Sequence, residues 1–333
     1  MKADPVINHE VGSVVLRPYC SNHCVFCRPL NEDSRLNRPA LETMEKMAYA
    51  AISELRSQGY EKIEVSGADP LEYDGLPEYI KAVRQGGFSW VRVSTNGVRL
   101  ADRHFTGALL DSGVDVFRIP LYGSRASVHD SVTREPGSFE SVVRGIKNLQ
   151  RSGKTKILLT SLILKQNCLD LLGIFDLMGD LGCDDLYFSC AFVSNGDFSY
   201  YVPQKLLGPF VSKLIEHSAK RGRKVRFVDM PFCVVGYDNN FTRNSGLPAH
   251  LASGFGVPGH QKTEMPDLPN YRKKIQAAFC KGCEVANKCE GLLMHDILRY
   301  GSGALSPVIQ KKSPVRSSRG ALFAKRMREG LPR

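Results

Sequence analysis

The sequence reads as an α/β chain: an open, partial (β/α)6 barrel of the TIM-like kind, followed by a C-terminal extension that carries cysteines. Two observations point there. From residue 13 to about residue 190, short apolar runs alternate with longer segments whose apolar residues recur at helical spacing. Past residue 190 that alternation fades, and a second group of cysteines appears near the end. A length of 333 residues suits one large domain with an extension, and 42% apolar with 24% charged residues is a globular profile, neither disordered nor fibrous.

The strand candidates, in order, are residues 13–16, 62–66, 90–94, 114–120, 156–164 and 186–189, all short and rich in β-branched or aromatic side chains. Between the first two, Leu41, Met44, Met47, Ala48, Ala51, Ile52 and Leu55 fall on one helical face. Phe139, Val142, Val143, Ile146 and Leu149 mark another, for which Ser138 is the expected N-cap. Six such units with parallel strands deliver their C-terminal strand ends to one mouth, where barrel enzymes keep their active sites. Beyond residue 190, residues 206–215 form one more amphipathic helix and residues 225–228 a strand, while residues 236–275, rich in Gly, Asn and Pro, read as a long loop. The expected organisation is a lead at residues 1–12, the barrel at 13–200, the extension at 201–309 and a basic tail at 310–333.

Charge is concentrated in that tail. Lys and Arg exceed Asp and Glu by 11 over the chain, and residues 310–333 alone hold eight bases against one acid, Glu329. The tail is expected to be disordered, either as a solvated segment or as one that touches nucleic acid, an acidic peptide or a membrane surface. No apolar run approaches the roughly 18 residues of a membrane span, and residues 1–10 lack an apolar signal core, so the expected compartment is the cytoplasm.

Ten cysteines in a chain of that kind argue for metal ligation or redox chemistry over a disulfide framework. Cys20, Cys24 and Cys27 are spaced C-x3-C-x2-C on a loop after the first strand. Three thiolates at that spacing can reach three corners of an iron–sulfur cube and leave one iron open. Clusters that only carry electrons are mostly held by four cysteines, so an open corner points to chemistry on a bound molecule. The alternative is a zinc ion with His23 as fourth ligand, though His23 directly precedes Cys24, a poor spacing for one tetrahedral ion.

This loop, with Phe26 before its last cysteine, resembles the signature of the radical S-adenosylmethionine (radical SAM) superfamily. The resemblance implies a 4Fe-4S cluster whose open iron binds S-adenosylmethionine, reductive cleavage of the latter's S–C bond, and a 5′-deoxyadenosyl radical that takes a hydrogen atom from substrate. Further segments follow in the family's order. Ser66-Gly67-Ala68-Asp69-Pro70 resembles the Gly-Gly-Glu-Pro motif whose carbonyls receive the cofactor's amino group; Ser66 replaces the first Gly and Ala68-Asp69 stands where Glu is usual. Ser94-Thr95-Asn96-Gly97 is similar to a common ending of the third strand, which implicates Asn96. By resemblance Ser124 faces the ribose and Arg134, before Gly137-Ser138-Phe139, faces the methionine carboxylate, a role that suits a planar, permanently charged guanidinium. Arg134 as a solvated residue at a helix start is the other reading. His129 reads either as a substrate-side acid or base or as a hydrogen-bonded structural histidine beside Asp130.

The second group, Cys280, Cys283 and Cys289, is spaced C-x2-C-x5-C and resembles part of the SPASM/twitch-like extension that binds auxiliary iron–sulfur clusters. The common version continues to another cysteine where this chain has Leu293, so a fourth ligand must come from elsewhere: Cys233 first, Cys190 behind it. A zinc site with four cysteine ligands is the alternative. Cys168 and Cys183 read as small packing hydrophobes. The resemblance implies a peptide or small-molecule substrate and an electron donor such as flavodoxin or ferredoxin. Against it stand a nucleic-acid- or nucleoside-modifying enzyme, supported by the basic tail, and a non-enzymatic iron–sulfur or zinc scaffold.

Overall fold

The computed structural model describes residues 11–17, 20–27, 41–183, 185–193, 196–236, 273–303 and 305–309. The basic tail, most of the expected long loop and residues 1–10 lie outside the described residues. The chain falls into two compact units: one holds the described parts of Met1–Pro120 and Thr133–Leu159, the other those of Leu121–Val132, Thr160–Gly246 and Asp267–Arg333.

In the first unit, β1 (Val11–Arg17), β2 (Lys62–Gly67), β3 (Trp90–Ser94) and β4 (Val116–Pro120) pair in sequence order, each parallel to the next. Parallel pairing demands crossovers, here α1 (Leu41–Ser57), α2 (Leu76–Gln85) and α3 (Arg103–Ser112). Along the strands alternate residues point to opposite faces. Ile63, Val65, Val91 and Val93 are fully buried on one face, while Glu64 and Arg92 are buried on the other. The fourth strand starts at Val116 instead of residue 114. Gly113, with φ at 97°, ends α3, and the Asp115 carboxylate is occupied by the Val91 N–H at 2.7 Å and by Arg84.

After β4 come α4 (Ala126–Thr133) and α5 (Ser138–Ser152), whose buried stripe of Val142, Ile146 and Leu149 follows the expected period. The expected cap does not hold. Gly137, at φ 82°, is the N-cap, and Ser138 is the first helical residue, with its hydroxyl 2.7 Å from that of Thr133. A left-handed cap conformation costs a serine what it does not cost a glycine, so the glycine one residue earlier takes the position.

The strand order continues through β5 (Lys156–Ile163), β6 (Asp185–Cys190) and β7 (Lys224–Val228). Helix α6 (Leu171–Asp180) precedes β6, and α7 (Gln204–Arg221) precedes β7. The α/β alternation read from the sequence is present, and among the described residues the parallel sheet has seven strands where six β/α units were expected. The segment 225–228 pairs parallel to β6 over Asp185↔Lys224 to Ser189↔Val228. Its buried Val225 and Phe227 extend the same layer. A short helix α8 (Phe232–Val235), the antiparallel two-residue strands β8 (Lys274–Ile275) and β9 (Leu292–Leu293), and α9 (Met294–Tyr300) complete the second unit.

Candidate active site

The cysteine loop leaves the C-terminal end of β1. The Cys27 N–H donates to the Cys24 carbonyl at 3.0 Å, closing a turn between the two cysteines. The loop is tied down far along the chain: the His23 N–H donates to the Thr133 carbonyl at 2.8 Å, and the His23 imidazole lies 3.8 Å from the Glu135 carboxylate. That side chain is largely exposed and turned toward Glu135. These contacts set Arg134 beside the cysteine loop. Its exposed side chain springs from a left-handed backbone at φ 55°, an uncommon conformation for a residue with a Cβ and one found at functional turns.

The thiols influence one another. Burial pushes Cys24 up to about 12, and the nearby Cys27 and Cys20 thiols add to this; burial pushes Cys20 up to about 11, with Asp69 adding. Ligation must therefore displace protons that the loop otherwise retains. Asn96 Nδ2 stands 3.3 Å from the Cys20 Sγ.

Beside the loop, β2 ends in Ser66 and Gly67, where the β1 register shifts between Val15 and Arg17. Asp69 is buried and its side chain is fully used inside the fold. It accepts from the Leu71 N–H at 3.1 Å, the Thr95 hydroxyl at 2.7 Å and the Asn96 N–H at 3.3 Å. Burial raises its carboxyl to about 7 despite those donors. This ties the end of β2 to the end of β3 and leaves the backbone of Ser66, Gly67 and Ala68 as the part of the motif available to a ligand. Gly97 then turns the chain at φ 79°; a Cβ there would lie 2.8 Å from Ile119 Cγ2 and 2.9 Å from Val142 Cγ2.

In the second unit, Ser124 donates from its backbone N–H and its hydroxyl to the two oxygens of Asp170, both at 2.7 Å, and Arg125 reaches the same carboxylate at 3.1 Å. The sequence reading missed Asp170. Its position before α6 was the only signal, and the link spans 46 residues. His129 is buried, its Nδ1 accepts from the Tyr122 N–H at 3.2 Å, and burial lowers its pKa to about 4. Burial and this hydrogen bond favour the reading as a structural histidine.

The second unit also brings the later cysteines together. Cys233, at the start of α8, lines one cavity with Cys280, Cys283 and Cys289, closed in by Phe232 and Leu292. Burial pushes the Cys233 thiol up to about 12, with Cys289, Cys280 and Cys283 each contributing. The loop depends on Gly291 at φ 90°, where a Cβ would meet the Ile275 carbonyl oxygen at 2.4 Å. Cys190 does not line this cavity; it is buried and donates to the Asp229 carbonyl at 3.0 Å. Cys168 and Cys183 are buried in the core. Lys274 on β8 joins Asp229, just past β7, at 2.8 Å to Glu290, the neighbour of Cys289. Among the described residues, no three His, Cys, Asp or Glu side chains stand close enough to hold a single metal ion as they are. The chemistry of the donors nevertheless suits a sulfide cluster at both places: three thiols in one, four in the other.

The cysteine trio thus follows the first strand of a parallel α/β sheet and lies beside the ends of the second and third. Residues 14–178 match the family model described as the Radical SAM superfamily, and the chain belongs to that superfamily. It is 25% identical to a probable GTP 3′,8-cyclase of Metallosphaera sedula over 52% of this chain and 53% of that one. It is 30% identical to the mycofactocin maturase MftC of Mycolicibacterium smegmatis over 44% and 36%. The chain thus spans about half, or less, of the length of these curated relatives. Among solved structures, SuiB of Streptococcus suis bound to S-adenosylmethionine superposes with a TM-score of 0.58 at 14% identity, covering 90% of this chain and 76% of that one. That likeness is one of fold.

Proposed function

We propose that this chain is a radical SAM enzyme in which Cys20, Cys24 and Cys27 hold a 4Fe-4S cluster with one iron open to S-adenosylmethionine. Bound together, the two would supply one-electron reductive cleavage of the S–C bond, with release of methionine and hydrogen-atom abstraction from substrate by the 5′-deoxyadenosyl fragment. The observation that carries this reading is the juxtaposition of the three-cysteine loop with Arg134, made by the His23 to Thr133 and His23 to Glu135 contacts. Arg134 grips the cofactor's carboxylate. The carbonyls of Ser66, Gly67 and Ala68 accept from its amino group, and Asp69 holds that strand end in place. Ser124, its proton committed to Asp170, offers lone pairs to a ribose hydroxyl.

Cys233, Cys280, Cys283 and Cys289 hold a second 4Fe-4S cluster, closed by four thiolates and suited to electron transfer; their common cavity supports this. The substrate is a peptide undergoing maturation or a small metabolite undergoing oxidation. The likeness in sequence to a mycofactocin maturase, and in fold to Streptococcus suis SuiB bound to precursor peptide SuiA, favours the peptide. A flavodoxin or ferredoxin supplies the electron, and the cytoplasm is the compartment. Among the described residues no helix is long and apolar enough to cross a membrane. A nucleoside substrate is the second reading, favoured by the likeness to the GTP 3′,8-cyclase; the basic tail that prompted it lies outside the described residues.

The test is anaerobic reconstitution with iron and sulfide, reduction, and detection of 5′-deoxyadenosine. The wild type should form it, and Cys20→Ala, Cys24→Ala and Cys27→Ala should not. Zinc at these three cysteines, or S-adenosylmethionine left intact by the reduced protein, would refute the assignment.

A further inference from the structure

Asn96 stands on the turn after β3 with its side-chain amide oriented by the fold. Its Oδ1 accepts from the Val98 N–H at 2.8 Å, which leaves the Nδ2 donors facing the cysteine loop. There Nδ2 lies 3.3 Å from the Cys20 Sγ and 3.2 Å from the Ser21 Oγ. The backbone on both sides is held as well. The Asn96 N–H donates to Asp69, and the Gly97 N–H donates to the Thr95 hydroxyl at 3.0 Å. The donor is thus preorganised toward one particular sulfur across 76 residues of sequence.

We infer that Asn96 is a positioning and tuning residue that donates an N–H···S hydrogen bond to the Cys20 thiolate and so raises the reduction potential of the cluster held there. The inference rests on the reading that Cys20, Cys24 and Cys27 carry that cluster. A hydrogen bond to a ligand sulfur stabilises the more electron-rich, reduced state, and such bonds are among the factors that set cluster potentials. A cluster that must deliver an electron to a bound sulfonium gains from each such donor an easier reduction by its own electron donor.

The reconstituted full-length protein is titrated anaerobically against potential, following the electron paramagnetic resonance signal that S-adenosylmethionine perturbs, which separates this cluster from any other. Two variants keep the cap on Val98 N–H while removing the donor: Asn96→Ser, whose hydroxyl can still accept from it, and Asn96→Asp, which is isosteric and adds a negative charge. The expected result is a more negative midpoint in both, farther in Asn96→Asp. Asn96→Ser should lower the one-electron equilibrium constant by about three- to tenfold, tenfold being about 59 mV. Iron content should match the wild type.

Wild-type midpoints in both variants overturn the inference and leave the cluster reading standing. Failure of both variants to retain iron also overturns it, because tuning does not require Asn96 for assembly. A wild type that assembles no S-adenosylmethionine-responsive cluster removes the reading and the inference together, and the three-cysteine variants then behave as the wild type does.

Discussion

Glu64 lies on the face of the sheet opposite Ile63 and Val65, buried and shared by two guanidiniums: Arg92 at 2.5 Å and Arg118 at 2.6 Å, with the Ser94 hydroxyl also donating to it. Burial on its own would raise this carboxyl. The Arg118 and Arg92 charges, with the hydrogen bonds of Arg92 and Ser94, outweigh it and bring the pKa down from 4.5 to about 2. A difference of roughly 2.5 pH units corresponds to about 3 kcal/mol of native-state preference for the ionised form. Breaking a buried pair by neutralising one partner costs a similar 3–5 kcal/mol, because the remaining charge is left uncompensated. Glu64→Gln keeps the shape and removes the charge. The variant should lose about 3 kcal/mol at pH 7, which at a urea slope of about 3 kcal/mol/M moves the unfolding midpoint down by about 1 M. The assay is the emission of the single tryptophan, Trp90, which sits on β3 with the Arg92 guanidinium 5.4 Å from its ring centre. The folded pKa is the lower one, so the stabilisation is complete above the unfolded value near 4.5 and disappears as pH falls toward about 2. The wild type should show that acid limb and Glu64→Gln should lack it. An unchanged midpoint at pH 7, with the acid limb retained in the variant, would show that the network contributes nothing net.

Two other results are expected. Cys233→Ser should remove the iron of one cluster from the reconstituted protein while 5′-deoxyadenosine formation persists; Cys190→Ser should leave iron content unchanged, and iron loss in the Cys190 variant alone would reverse the choice of fourth ligand. Asp296, buried in α9 with its Oδ2 accepting from the Gln204 N–H at 3.2 Å, has its carboxyl raised by burial from 3.8 to about 6. Ionisation therefore opposes folding, and stability should fall as pH rises between those values by about 3 kcal/mol. Asp296→Asn should abolish that decline and be the more stable protein at pH 8, as read from denaturation midpoints across the pH range; a less stable variant at pH 8 refutes it.

Much of this protein is legible along the chain because the relevant signals are local. The alternation of strand and helix needs only neighbouring residues, and the trio Cys20, Cys24 and Cys27 falls within eight positions. Other features required the fold. Whether residues 225–228 join the main sheet depends on an edge left open by β6, which no local pattern records. The cap of α5 passed from Ser138 to Gly137 because the chain entering that helix needs a positive φ. Cys233, expected from the sequence as one of two choices for a fourth ligand, is set apart from Cys190 only by where β7 and α8 place it beside the loop of Cys280 to Cys289.

Residue types and spacings thus show which groups this chain offers: soft sulfur donors in sets of three, and an arginine of the kind that suits a carboxylate. The partners of those groups came from packing. The amide of Asn96 meets Cys20, Asp170 takes the hydroxyl of Ser124, and Glu64 settles between two arginines across 28 and 54 residues. Such contacts are non-local because parallel strands lie side by side only after a helix has been crossed, and sequence separation carries no record of which strand ends will meet.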